Sequence, residues 1–199
     1  MCDAPVPARV VATGPPRWLL VAKGLLAGLL VLGALLPQVG GFDGKGMAYR
    51  LPIFLAPALV VPVRWLRNRD TYPVALDAAL TLPFLLDTAA NGAGLYDRFT
   101  RTDDVLHFAN WLLLIGGVTA ALAVNVVETK TPRWLVGTAG AGIGAATTIG
   151  WEVAEYGVMR AGVGGLSLTY ADTLTDLVLS TAGGAVGAFA AVRWVMPRR

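Results

Sequence analysis

Six runs of about twenty mostly apolar residues fill this chain, at Trp18–Leu36, Met47–Leu66, Val74–Ala93, Val105–Val127, Trp134–Tyr156 and Thr173–Val195. A helix needs about that length to cross the hydrocarbon core of a bilayer. Inside a bilayer the backbone must satisfy its own hydrogen bonds, so such runs have helices as their outcome. The expected fold class is all-α: a polytopic transmembrane helix bundle of about six spans. The chain is 15% charged, against about 25% for soluble domains. Its 199 residues suit a single integral membrane domain. Residues 1–17 are expected to form a cytoplasmic N-terminal segment, and residues 74–195 the core that carries a polar site.

Two segments need comment. Arg9, Arg17 and Lys23 precede the apolar run Gly24 to Leu36, an arrangement like a signal peptide. No small-x-small cleavage site follows it, so the run is read as an uncleaved first span. The second run contains Arg50, Pro52, Pro57 and Pro62; each proline removes a backbone donor, which predicts a kinked or partly re-entrant segment. Cys2 is the only cysteine, which excludes an internal disulfide and a thiolate-based zinc site.

Orientation follows from lysine and arginine placement. With six spans, eleven basic residues fall on one side, among them Arg64, Arg67, Arg69, Lys130, Arg133, Arg193, Arg198 and Arg199, and five fall on the other: Lys45, Arg50, Arg98, Arg101 and Arg160. Both termini are therefore expected in the cytoplasm. Trp18, Trp65, Trp134 and Trp194 fall at the cytoplasmic interface on this topology, as an aromatic belt would. The net charge of +3 is explained by this placement and gives no nucleic-acid signal.

Eight of the thirteen acidic residues gather at the opposite, outer ends of the last four runs: Asp87, Asp97, Asp103, Asp104, Glu152, Glu155, Asp172 and Asp176. The sole histidine, His107, lies among them. Ionisable groups in membrane helices are costly and mark functional sites or paired networks. Asp104 and His107, Glu152 and Glu155, and Asp172 and Asp176 are each three or four residues apart, which puts each pair on one helix face. At 1.5 Å per residue Glu152 stands about 27 Å along its helix from Trp134, near the outer edge of the core.

So many carboxylates in one place need compensation. A divalent metal could be held by Asp104, His107, Glu152, Glu155, Asp172 and Asp176, a donor set that suits Mg, Mn, Fe or Zn. Arg98, Arg101 and Arg160 could instead pair with the acids. Alternatively some carboxyls stay protonated as acid/base groups, with Glu152, Glu155 and Asp176 as the catalytic candidates. Asp103 and Asp97 read as solvated or capping residues, Asp172 also as a helix cap, Asp77 as the partner of an arginine, and Asp43 and Asp70 as loop residues. Glu128 lies at the inner surface. Glycines and alanines in the last two runs, such as Gly140, Gly144, Gly183, Gly184 and Gly187, predict close helix packing.

The order Tyr96-Asp97-Arg98-Phe99, Asp104-x-x-His107-Phe108, Trp151-Glu152-x-x-Glu155-Tyr156 and Asp172-Thr173-x-x-Asp176 resembles the YjdF-like family of bacterial inner-membrane proteins. It is distantly similar to VanZ-like proteins, although Ser180 and Thr181 stand where those carry an asparagine. The resemblance covers residues 74–192. It implies a multi-helix membrane fold with a shared polar site and supplies no reaction.

The expected function is that of a membrane enzyme, of lyase, cyclase or hydrolase type, acting on a lipid, isoprenoid or lipid-linked substrate that passes laterally between the small-residue faces. The alternatives are a cation or proton transporter and an accessory subunit. Membrane lipid and an apolar small molecule are the expected partners.

Overall fold

The computed structural model describes residues 13–68, 71–127, 130–162 and 168–196. Cys2, Arg9, Arg69, Asp70, Glu128, Arg198 and Arg199 lie outside the described residues. The rest is all-α: α1 Arg17–Leu35, α2 Met47–Asn68, α3 Val74–Ala79, α4 Leu82–Gly92, α5 Leu95–Arg98, α6 Thr102–Asn125, α7 Arg133–Arg160 and α8 Tyr170–Val195. By length and apolar composition α1, α2, α6 and α8 can each cross a membrane. The helix α7 is longer, at 28 residues, but its glycine- and threonine-rich composition makes it less apolar.

The second run forms one unbroken helix, and the interruption falls in the third. The α2 helix continues through Pro52, Pro57 and Pro62, whereas the third run stops at Ala79 and restarts at Leu82. Pro83 accounts for the break. Its ring has no N–H and would clash with the carbonyl four residues back, that of Ala79, but it is tolerated in the first turn of a new helix.

The continuity of α2 is helped by a lysine. Pro62 leaves the Ala58 carbonyl without its helical donor, and Lys23 Nζ donates to that oxygen. The same ammonium donates to Asp77 Oδ1 at 2.7 Å and to Thr81 Oγ1 at 3.0 Å. Tyr72 donates to the other oxygen of Asp77 at 2.6 Å. Lys23 thus faces the bundle interior, and it is the cation that meets Asp77 in place of an arginine. One side chain ties α1 to α2 and to the break between α3 and α4.

Small residues set the spacing of the other half. A Cβ on Gly183 would strike the Phe108 carbonyl, and one on Gly187 would strike that of Leu112. Hence α8 can lie directly on the α6 backbone, and α7 closes on both through Gly140 and Gly144. This contradicts lateral access across the small-residue faces, because neighbouring helices fill them. At the end formed by the α6 C-terminus and the α7 N-terminus, Ala123, Val136 and Val192 pack together. Trp134 and Trp194 there, and Trp18 at the α1 start, are well exposed, as an interfacial belt requires. The acidic residues lie at the other end.

Candidate functional site

His107, one turn and a half into α6, is the centre of the acidic end. Its Nδ1 lies 3.0 Å from Ser180 Oγ on α8. Its Nε2 faces Asp103 Oδ1 and Asp176 Oδ1, each at 3.7 Å. Those separations are too long for hydrogen bonds, but they match two ligands of one ion, since donors about 2.1 Å from a metal stand some 3–4 Å apart. In each of two sets, Asp103–His107–Asp176 and His107–Glu152–Glu155, the ligand atoms lie within 4.8 Å of one another. Both contain His107, so α6, α7 and α8 each contribute to one locus.

The close packing of α8 on α6 produces this convergence. Asp176 and Ser180 precede Gly183 and Gly187 on the same face of α8, and that face meets the α6 backbone from Phe108 onward. On α7, Glu152 points inward, 5% exposed, while its neighbour Val153 is 66% exposed. Among the described residues neither Glu152 oxygen has a hydrogen-bond partner, and the buried Asn110 Oδ1 is likewise unmatched. Buried polar atoms are nearly always satisfied. The described residues therefore leave this locus with more acceptors than donors.

A cavity of about 150 Å³ opens beside it, lined by Asp103, His107, Asn110, Trp111 and Glu155 on one side and by Lys45, Arg50, Asp87, Asn91 and Tyr96 on the other. The second side is internally neutralised. Arg50 Nη1 donates to Asp87 Oδ2 at 2.7 Å, Tyr96 donates to Asp87 Oδ1 at 2.5 Å, and Asn91 Nδ2 reaches Asp87 Oδ2 at 3.2 Å. Burial and the adjacent Asp87 carboxylate raise the Tyr96 phenol above the ordinary tyrosine range, so at neutral pH it is a hydrogen donor. Lys45 pairs with Asp97 at 2.7 Å. Compensation at this end thus comes from Lys45 and Arg50, not from Arg98, Arg101 or Arg160. The loop before α2 brings Lys45 into place, folding over the end of α4 through the bond from Gly41 N to Gly92 O.

Around His107 the structure places Asp176 in one close set and Glu152 with Glu155 in the other; of these four, His107 and Glu155 line the cavity, and Glu152 and Asp176 do not. Asp104 and Asp172 fall outside both close sets, and Asp103 takes the place beside His107. The spacing points to Asp104, three residues before His107; the carboxylate beside the imidazole is that of Asp103, four residues before it. The backbone N–H of Asp172 is capped by Thr169 Oγ1 at 3.1 Å, so Asp172 sits inside a capped first turn and is not itself the cap. Ser180, Arg50, Lys45 and Asn110 join the site without a motif to mark them; for Ser180 the signal in the sequence is its spacing of four from Asp176.

The fold and site define a helical membrane protein with a histidine and a surplus of buried carboxylates at one end. The family described as a predicted membrane protein family, DUF2238, matches residues 21–197, and the chain belongs to it. That match takes in the first two helices, which the resemblance read from residues 74–192 did not. No curated protein and no solved structure matches the chain.

Proposed function

We propose that this protein is a membrane-embedded enzyme whose His107-centred carboxylates hold a divalent metal and act on a lipid, isoprenoid or lipid-linked substrate. The observation that carries the metal is the pair of unpartnered oxygens on buried Glu152 beside an imidazole. A carboxylate in that position needs a cation or a proton. Three or four carboxylates with one imidazole suit Mn, Fe or Zn, and also Mg. The Ser180 contact at Nδ1 would orient the Nε2 lone pair toward the ion, as a partner behind a metal-bound histidine does. A bound divalent ion would supply Lewis acidity toward a phosphate ester or carbonyl. Glu155, which lines the cavity, is placed to exchange a proton with a substrate there, with Asp176 and Glu152 behind it. The basic asymmetry supports a bacterial inner-membrane location with both termini cytoplasmic and the site facing outward, in keeping with the YjdF-like resemblance.

The second reading is cation or proton transport. It is favoured by the broken third run with buried Asp77 at its edge, since discontinuous helices often build transporter ion sites. Lys23, Tyr72 and Thr81 already surround that carboxylate, which favours the enzyme reading.

The test is metal content of purified protein by mass spectrometry, before and after chelation, with Mn²⁺ and Zn²⁺ restored. One ion per chain is expected. Glu152→Gln should weaken uptake at least about tenfold with an unchanged or higher melting temperature, because no described lysine or arginine is paired with Glu152. A wild type that takes up neither ion defeats the proposal.

A further inference from the structure

The cavity does not end at the site. A second space of about 110 Å³ runs between α2 and α7 and shares Lys45, Arg50, Phe54, Trp151 and Glu155 with it. Beyond those shared residues its walls are apolar: Tyr49 and Ile53 from α2, and Ala154 and Val158 from α7. On each helix these positions recur at helical spacing, so the two faces confront one another along a slot. The two helices barely touch. The bridge between them is an aromatic pair, Phe54 and Trp151, with ring centroids 6.4 Å apart. Tyr49 and Ile53 are more than half exposed, which in a membrane helix means exposed to lipid.

Charge is arranged along this slot in one direction. Lys45 lies just before the start of α2, and Arg50 follows in its first turn. The aromatic pair and the apolar wall at Ile53 lie deeper. Lys45 and Arg50 are the only lysine and arginine among the described residues lining either space. The partner of Lys45, Asp97, is more than half exposed, so that bridge is weak and easily exchanged. The guanidinium of Arg50 commits Nη1 to Asp87 and carries further donors on a rigid fork. A paired lysine and arginine at the mouth of a lipid-facing apolar slot match a phosphate carried on a long chain.

We infer that the slot between α2 and α7 is a lateral portal for a phosphate ester of a single long apolar chain. Lys45 and Arg50 hold the phosphate at the junction with the cavity, and the chain lies along Ile53, Ala154 and Val158. The inference deepens the enzyme reading by naming its substrate class, and it rests on that reading for the chemistry but not for the binding. The phosphate would sit beside Glu155, on the path to the His107 locus.

Calorimetric titration of the full chain in nanodiscs tests this with three probes: farnesyl phosphate, farnesol and inorganic phosphate. Farnesyl phosphate should bind, farnesol at least about tenfold more weakly, and inorganic phosphate not measurably. Lys45→Ala should reduce farnesyl phosphate affinity at least about tenfold with little effect on farnesol. Ala154→Trp, which fills the slot from an exposed position, should weaken both lipids. Metal uptake should be unchanged in both variants. The portal is overturned if farnesyl phosphate does not bind, if farnesol binds equally well, if inorganic phosphate binds as tightly as the ester, or if both variants bind like wild type. Loss of metal uptake by wild-type protein that still binds the ester would defeat only the metal reading.

Discussion

His107 Nδ1 and Ser180 Oγ stand 3.0 Å apart across the interface of α6 and α8. The contact fixes the imidazole so that Nε2 points at Asp103 and Asp176. Second partners of this kind typically contribute 10–100-fold to metal affinity. Ser180→Ala should therefore weaken Mn²⁺ or Zn²⁺ binding by about that factor, and Ser180→Thr should restore part of it. A titration in which Ser180→Ala binds as tightly as wild type would show that the contact is only packing.

Asp103 and Asp104 are neighbours in sequence with different environments. Asp103 faces His107 and the cavity, and Asp104 belongs to neither close set. Asp103→Asn should lower metal affinity at least about tenfold, whereas Asp104→Asn should leave it within about twofold. The reverse ranking in the same binding assay would restore the i, i+3 pairing read from the sequence.

The closeness of α6 and α8 should be measurable as stability. Gly183→Ala places a methyl against the Phe108 carbonyl, and overpacking of this kind costs about 1–3 kcal/mol. Gly142→Ala meets nothing within 4 Å and should be neutral or slightly stabilising, because alanine is the better helix former. Melting temperatures in detergent compare the two. Equal melting temperatures would remove the packing explanation for the site's convergence.

Lys23 and Asp77 form a buried pair, with Asp77 fully buried. Removing one partner strands the other, at a cost of about 3–5 kcal/mol. Asp77→Asn should therefore melt much lower than wild type. The double change of Lys23→Met with Asp77→Leu should recover a large part of the loss, as apolar replacements of buried pairs commonly do. Recovery would be absent if Lys23 mattered chiefly through the Ala58 carbonyl, and that outcome is readable from the same melts.

Two tyrosines predict an alkaline limit. Burial and Asp77 raise the Tyr72 phenol, and burial and Asp87 raise that of Tyr96. The folded state therefore holds these protons more tightly than the unfolded chain, whose tyrosines titrate near pH 10. The stabilisation is fully present below about pH 10 and is lost as pH rises toward the folded values. Melting temperature should fall above about pH 10, and Tyr72→Phe with Tyr96→Phe should flatten that fall. A double variant with the wild-type slope would assign the alkaline loss to lysine titration instead.

The sequence by itself determined the class of this protein and the ingredients of its site. Runs of twenty apolar residues leave a chain few options but helices in a bilayer, and carboxylates spaced at three and four residues declare which sides of α7 and α8 are polar. Periodicity also marked the close-packed glycines. It did not say what would fill them: Gly183 and Gly187 receive the α6 backbone, which closed the lateral route expected there and aligned Ser180 with His107. The choice of Asp103 over Asp104 depends on how α6 is rotated against α8, a quantity set by packing and absent from spacing alone. The same holds for the cations. Lys23 stands in the sequence only as a basic residue near the start of the first run, yet it donates to a proline-freed carbonyl, and Arg50, a charge inside an apolar run, is the partner of Asp87. A long flexible cation takes its partner from whatever the neighbouring helices present, and only their arrangement in three dimensions decides which partner that is.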